Sequence, residues 1–133
     1  MAYPYFQELD NPTNQAFVKQ WRARFGDDYD YITDSAVTVW NGWHAWAKAA
    51  EAAKSVERES VIKALEEGVQ IDSPSGPVSL DGASHHVVQD VSIAETSGKG
   101  FKVISTEESV PPAFEQEQCD LKAKPATNQQ FTP

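Results

Sequence analysis

The sequence predicts a mixed α/β chain in which three helices are followed by short strands and a β-hairpin. Up to Gly68, apolar residues recur at helical spacing in three segments. After Gly68 they alternate with polar residues, as in strands. The 133 residues contain no internal repeat and no regular strand–helix alternation. The broad apolar helix faces therefore have no central sheet to cover them, which is typical of part of a larger fold.

The first helix is predicted over residues 12–25. Asn11 can cap free backbone N–H groups, and Pro12 loses nothing at the first helical position, where its missing N–H would have no partner. Gly26 suits the left-handed stop. The apolar stripe consists of aromatic residues four apart, Phe17, Trp21 and Phe25, with Val18 beside them.

A second helix is predicted from a cap at Thr33 or Asp34 to about Lys54, and a third from Ser55 to Gly68. The second helix is rich in alanine and tryptophan, and its apolar residues cover more than one stripe: Val39, Trp40, Trp43, Trp46, Ala47 and Ala50. Such a helix expects partners on more than one side. The tryptophans form either core or a platform for a sugar or aromatic ligand.

Short strands are predicted around residues 69–71 and 78–80, with a turn at 73–77 between them. Residues 85–94 and 101–104 form a β-hairpin with a longer loop. From Glu107 onward the many polar residues and the pair Pro111–Pro112 predict an irregular tail on the surface.

The charge balance, 11 Lys plus Arg against 20 Asp plus Glu, gives a net charge of −9. This argues against a nucleic-acid partner, which needs clustered cations. The 40% hydrophobic fraction favours one globular domain. We expect no membrane-spanning segment and no signal peptide in this chain. Cys119 alone closes no intramolecular disulfide and makes no thiolate metal site.

No motif for a nucleophile, a phosphate loop, a dinucleotide or a zinc-protease helix occurs. His85 and His86 would point to opposite faces at the start of a strand, so a surface or packing role is favoured over a shared metal. His44 lies in the second helix, and the acidic pairs lie at the ends of elements. We therefore expect no catalytic residue, no metal, no cofactor and no enzymatic activity.

Several strings, in order, resemble the type I periplasmic solute-binding proteins of ABC transporters, which are similar to Leu/Ile/Val-binding proteins. The resemblance is to the branch that includes urea and short-chain amide receptors. The strings are YPYFQELDNP (3–12), NQAFV (14–18), DSPSGPV (72–78) and HHVVQDVSIAE (85–95), with CDL (119–121) and NQQF (128–131) towards the end. None of them is specific alone, but their order covers most of the chain.

The resemblance implies a two-lobed receptor in which each lobe is a parallel sheet flanked by helices and the ligand occupies the cleft. This chain would be its C-terminal third. Residues 1–11 would cross from the second lobe, 12–75 would be the helical part of the first lobe, 76–106 the third crossover and hairpin of the second lobe, and 107–133 the tail. Most ligand contacts would lie outside the chain, so we expect it not to bind solute alone.

The implied function is the substrate-binding component of an ABC importer for urea, short-chain amides or similar small polar solutes. Its partners would be that solute and the permease subunits, and the intact protein would be periplasmic, or extracellular and lipid-anchored. Two alternatives stay open: a cytoplasmic amide-sensing regulator of the same fold, and a self-associating interaction module built on the tryptophan helices. Exposed apolar helix faces predict a homo-oligomer.

Within this chain, the resemblance places four residues nearest to the cleft: Tyr5, Phe6, Asp34 and Ser35. For the two aromatic residues, packing at the hinge between lobes is the competing explanation. For Asp34 and Ser35 it is capping of the second helix.

Overall fold

The computed structural model describes residues 1–29, 31–113 and 120–128. In these residues the chain forms three helices and five strands, which confirms the mixed α/β prediction. In chain order they are β1 (Ala2–Tyr3), α1 (Pro12–Phe25), α2 (Asp34–Ala53), α3 (Arg58–Glu66), β2 (Gln70–Ser73), β3 (Gly76–Leu80), β4 (Val87–Ser97) and β5 (Gly100–Val110). Sequence analysis did not predict β1, because two residues are too few to show a period.

Helix α1 has the ends that its sequence predicts. The Asn11 side chain accepts a hydrogen bond of 2.8 Å from the backbone N–H of Asn14, and Pro12 occupies the first turn. The helix stops at Gly26, whose φ of 102° lies in the region that favours glycine. These local signals fix the direction in which the preceding segment approaches the helix.

The predicted cap of α3 was wrong. The helix begins at Arg58, after Glu57, and the Ser55 hydroxyl instead accepts a 3.1 Å hydrogen bond from the Glu57 N–H in the preceding turn. A serine favours such short local turns as readily as helix caps, so the residue type alone could not separate the two. Helix α2 ends at Ala53, and Lys54 adopts a left-handed conformation with φ 52°.

The strands form one sheet in which every pair between the described strands is antiparallel. Along one edge, β4 pairs first with β3 and then with β1, while β5 runs along its other edge. Parallel pairs, which the resemblance implies for each lobe, are absent from the described residues. The β4–β5 register shifts at two points, between Gln89 and Val91 and between Ile93 and Ala94.

The hairpin is longer than its apolar pattern predicts. Strand β5 continues to Val110, where the sequence analysis expected an irregular tail from Glu107. Its last residues are exposed, so polar side chains there carry no apolar alternation that would mark a strand. Beyond it, Leu121 N–H donates to Ala83 O at 2.7 Å, so residues near 121 lie against the β3–β4 loop. Cys119 and residues 129–131 lie outside the described residues.

Two apolar clusters hold the helices. One, here called the Tyr5 cluster, joins the segment after β1 to α1 and α2 through the buried residues Tyr5, Phe17, Ile32 and Val37. The other joins α2 to α3 through Ala49, Val61 and Ala64. The first cluster therefore contains Tyr5, one of the four residues that the resemblance places near the cleft.

Candidate functional site

Tyr5 is the centre of a buried polar network. The side chain is 2% exposed, and its hydroxyl donates a 3.0 Å hydrogen bond to Asn14 Oδ1. Asn14 Nδ2 in turn donates to the carbonyls of Gln7 at 3.1 Å and Leu9 at 2.7 Å. Burial raises the pKa of Tyr5, and the nearby Tyr31 and Glu8 raise it further. The hydroxyl therefore stays protonated and acts as a donor.

Phe6 is also 2% exposed, but its neighbours are aromatic rings. The ring centroid lies 5.2 Å from that of Phe101 in β5 and 6.1 Å from that of Tyr3 in β1. These distances are typical of favourable ring pairs in a core. The surroundings of Phe6 therefore favour packing between the segment after β1 and the hairpin.

Asp34 begins α2 and lies beside Tyr5, whose backbone N–H donates to its carboxylate. Its Oδ1 atom is shielded from water and has no hydrogen-bond partner. Burial raises the pKa of Asp34, and the hydrogen bond from Tyr5 opposes that rise. A shielded carboxylate oxygen without a donor leaves a hydrogen-bonding capacity that a ligand N–H could satisfy.

The structure thus brings Tyr5 and Asp34 together and does not bring Ser35 to them by any described contact. Ser35 is exposed on α2. We use "the Tyr5 site" for Tyr5, Asn14 and Asp34. Asn14 was missed by the sequence analysis, although a polar residue three positions before the buried Phe17 on the same helix was an available signal.

An open depression of about 470 Å³ adjoins the Tyr5 site at Asn14 and follows the segment after β1. Glu8 and Asp10 bring two carboxylates to its lining, and Lys19 brings an ammonium group. The Gln7 side-chain oxygen is already occupied, because it accepts a 3.0 Å hydrogen bond from Ile32 N–H. Both Glu8 oxygens and Asp10 Oδ1 also accept hydrogen bonds within the chain, from Phe101 N–H, the Tyr31 hydroxyl and Gln15 Nε2. The lining carries two negative charges against one positive charge, which disfavours an anionic solute.

A second depression, of about 340 Å³, is mainly apolar and lies between α2, α3 and strands β3 and β4. Trp46, Leu65 and Leu80 are among its lining residues. Asn41 also contributes, and its Oδ1 is shielded without a partner. At this depression, part of the apolar surface of α2 and α3 remains uncovered.

The two adjacent histidines precede the strand that was predicted to contain them. Strand β4 begins at Val87, and His85 has a φ of 60°. His85 Nε2 lies 2.9 Å from Glu66 Oε1, and His86 Nδ1 lies 3.1 Å from Ser84 O. The prediction that His85 and His86 lie at the start of a strand was therefore wrong.

Across the described ranges, no group of three or more His, Cys, Asp or Glu side chains is placed to hold a metal ion. In the same part of the chain, none of the helices combines the length and the apolarity needed to cross a membrane.

The arrangement of helices and strands corresponds to part of a solute-binding protein fold, as a solved structure shows. A solute-binding protein of an ABC transporter from Rhodopseudomonas palustris, in complex with 4-hydroxybenzoate, superposes with a TM-score of 0.67 and 28% identity. The match covers 83% of this chain and 31% of that chain.

The family profile of the periplasmic binding proteins matches residues 1–101. The chain therefore belongs to the periplasmic binding protein family. A curated relative, the Leu/Ile/Val-binding protein homolog 6 of Brucella abortus, is 30% identical over 98 residues, which are 72% of this chain. A protein of Geobacillus stearothermophilus named limonene hydroxylase is 28% identical over 109 residues, 80% of this chain.

The chain spans about a quarter of the length of these curated relatives. The matches cover 24% of the Brucella protein and 20% of the Geobacillus protein.

Proposed function

We propose that this chain is the C-terminal third of the periplasmic substrate-binding component of an ABC importer, with permease subunits as its membrane partners. We further propose that the solute is small, polar and rich in N–H donors, such as urea or a short-chain amide. The sequence strings that resemble the urea and amide receptors support the branch. The family match supports the class of protein.

The single observation that carries the solute class is the unpartnered Oδ1 of Asp34. It lies next to Tyr5, and the adjoining depression contains the carboxylates of Glu8 and Asp10. Such acceptors pair with an amide N–H, whereas they would repel an anionic carboxylate. In the intact receptor, we infer that an amide N–H reaches Asp34 when the lobes close around it.

A second candidate solute, an aromatic carboxylate, is favoured by a different observation. The R. palustris relative was solved with 4-hydroxybenzoate. Recognition of a carboxylate requires donors or cations, and the depression beside Asn14 carries two carboxylates, Glu8 and Asp10, against the one ammonium group of Lys19. The donors would have to come from the part of the receptor that these 133 residues do not include.

Titration calorimetry on the product of the complete gene tests the proposal, with urea, acetamide, 4-hydroxybenzoate and leucine as solutes. We expect urea or acetamide to bind, and Asp34→Ala to weaken that binding about tenfold, roughly the effect of one charge-assisted hydrogen bond. Ser35→Ala, at the adjacent exposed position, is the matched control and leaves affinity unchanged. Binding of 4-hydroxybenzoate or leucine alone contradicts the amide proposal.

The 133-residue chain by itself provides a further check. We expect it to bind urea and acetamide more weakly than micromolar, because one wall of a cleft cannot desolvate a solute from both sides. Micromolar or tighter binding to this chain would contradict the proposal that the remaining contacts lie elsewhere. Such binding would also favour a self-standing chain over a fragment of a larger receptor.

A further inference from the structure

The turn of the β4–β5 hairpin donates a hydrogen bond to a side chain outside the sheet, beside the packing of Phe101 on Phe6. Glu8, in the segment between β1 and α1, accepts a 3.1 Å hydrogen bond through Oε1 from the N–H of Phe101. Its other oxygen, Oε2, accepts a 2.9 Å hydrogen bond from the Tyr31 hydroxyl, just before α2. One carboxylate therefore ties the hairpin turn to the loop that enters the helical part.

The surroundings reinforce this connection. The Tyr31 oxygen also accepts from Gln7 N–H at 3.3 Å, so the hydroxyl is oriented towards Glu8. The Phe101 ring packs edge-on against Tyr31, with centroids 5.6 Å apart. Burial, followed by the hydrogen bond to Glu8, raises the pKa of Tyr31, so the phenol remains a donor.

Residue 100 must lack a side chain for this contact to form. A Cβ atom at Gly100 would overlap Glu8 Oε1. Gly100 does not have a positive φ, so its backbone conformation is open to alanine. Glycine is therefore needed at position 100 because it leaves space for the Glu8 carboxylate, and not because of the backbone conformation of the turn.

The opposite end of the hairpin contains a point of irregular pairing. The β4–β5 register shifts between Gln89 and Val91, where β4 also passes from pairing with β3 to pairing with β1. Asp90 Oδ1 accepts a 2.8 Å hydrogen bond from Ser109 N–H at this bulge. Bulges interrupt the ladder and bend the strand, so the hairpin departs from regular pairing at this end.

We propose that Glu8 is a latch that holds the hairpin turn against the helical part, and that opening of this latch frees the turn of the hairpin. The Glu8 latch consists of Glu8, Tyr31, Gly100 and Phe101. Glu8 is exposed, so water replaces its partners as the latch opens and the contact is readily reversible. The inference is independent of which solute the receptor binds.

Hydrogen exchange, read by NMR on the 133-residue chain without solute, tests the latch. Glu8→Ala removes the acceptor, and Gly100→Ala displaces the same carboxylate while keeping its charge. We expect each to speed exchange of the Phe101 amide about threefold to tenfold, the range of one ordinary hydrogen bond. The double variant should exchange no faster than the faster single variant, because both changes break the same contact.

Two controls keep the test specific. Glu95→Ala removes an exposed carboxylate from the same hairpin, 3.4 Å from Lys102 Nζ, and should leave the Phe101 amide unchanged. Glu8→Gln keeps one oxygen for the Phe101 N–H but loses the acceptor of the Tyr31 hydroxyl, so exchange of the Phe101 amide should fall between wild type and Glu8→Ala. Additive effects in the double variant, equal acceleration throughout β3 and β4, or no acceleration at Phe101 would each overturn the proposal.

Discussion

The two sides of α2 are similar in composition and opposite in environment. On the inner side, Val37 and Ala49 are 1% and 0% exposed, and Trp40 packs edge-on against Phe17 of α1. On the outer side, Val39 and Trp43 are 62% and 69% exposed. No charged residue occurs from Ser35 to Ala47, so the sequence does not mark either side as the surface.

The spacing of apolar residues therefore identifies α2 as a helix, but it does not indicate which face of the helix the same chain covers. The apolar faces of the helices were expected from the sequence to lie exposed. In the structure Phe17 is 8% exposed within the Tyr5 cluster, and Trp21 and Trp40 are half-buried. The uncovered surface is therefore narrower and centres on Trp43.

The largest expected effect lies on the inner side, at Asn14. Asn14→Ala removes the acceptor of the buried Tyr5 hydroxyl and the donor to two carbonyls. Since buried polar groups left unpaired are costly, we expect a loss of about 3 kcal/mol in unfolding free energy. Urea unfolding followed by circular dichroism measures it. A loss below about 1 kcal/mol would show that water satisfies this network.

The sharpest test of the comparison is a matched pair two residues apart on α2. Val37→Ala should lower the unfolding free energy by about 2 kcal/mol, because it leaves a cavity in the Tyr5 cluster. Val39→Ala should change it by less than about 0.5 kcal/mol, since the side chain already faces water. Equal losses at both positions would mean that the outer side is covered in solution.

Local signals in the sequence account for most of the fold. Asn11, Pro12 and Gly26 predict the ends of α1, and alternation predicts the strands around Ile71 and Val78. The start of α3 was not predicted correctly, because Ser55 favours turns as well as helix caps. The end of β5 was not predicted, because its residues are polar and lie on an exposed edge. The end of β5 depends on pairing with β4, which no local period in β5 records.

Less of the site could be predicted. The resemblance selected Tyr5 and Asp34, which the structure places in contact, but Asn14, the acceptor of the Tyr5 hydroxyl, was not selected from the sequence. The Glu8 contact joins residues separated by 93 positions along the chain. No local period encodes a contact between such distant residues.

The outer side of α2 should govern self-association. We expect the 133-residue chain to form dimers or higher oligomers through Trp43, because burial of this exposed ring gains apolar contact. Trp43→Ser should weaken dimerisation about tenfold, equivalent to about 1.4 kcal/mol. Light scattering across micromolar to millimolar concentration measures the mass, with Val56→Ser, exposed on the α2–α3 loop, as the control. A monomer at all concentrations contradicts the expectation.

The smallest expected effect concerns Asp34, at the boundary between the two sides. Because burial raises its pKa in the folded state, the ionised carboxylate disfavours folding at neutral pH. Asp34→Asn should therefore raise the unfolding free energy at pH 7, by less than Val37→Ala lowers it. The amide oxygen can still accept from Tyr5 N–H.

The sign of the pH dependence separates this explanation from a simple change in charge. As pH falls through the raised pKa of Asp34 towards its ordinary value of 3.8, the folded wild-type chain takes up the proton first and gains stability. The advantage of Asp34→Asn should shrink over that interval. Asp10→Asn removes an equal charge from an exposed position and should show no such convergence. A destabilising Asp34→Asn at pH 7 would mean that Tyr5 N–H and the start of α2 favour the carboxylate more than burial opposes it.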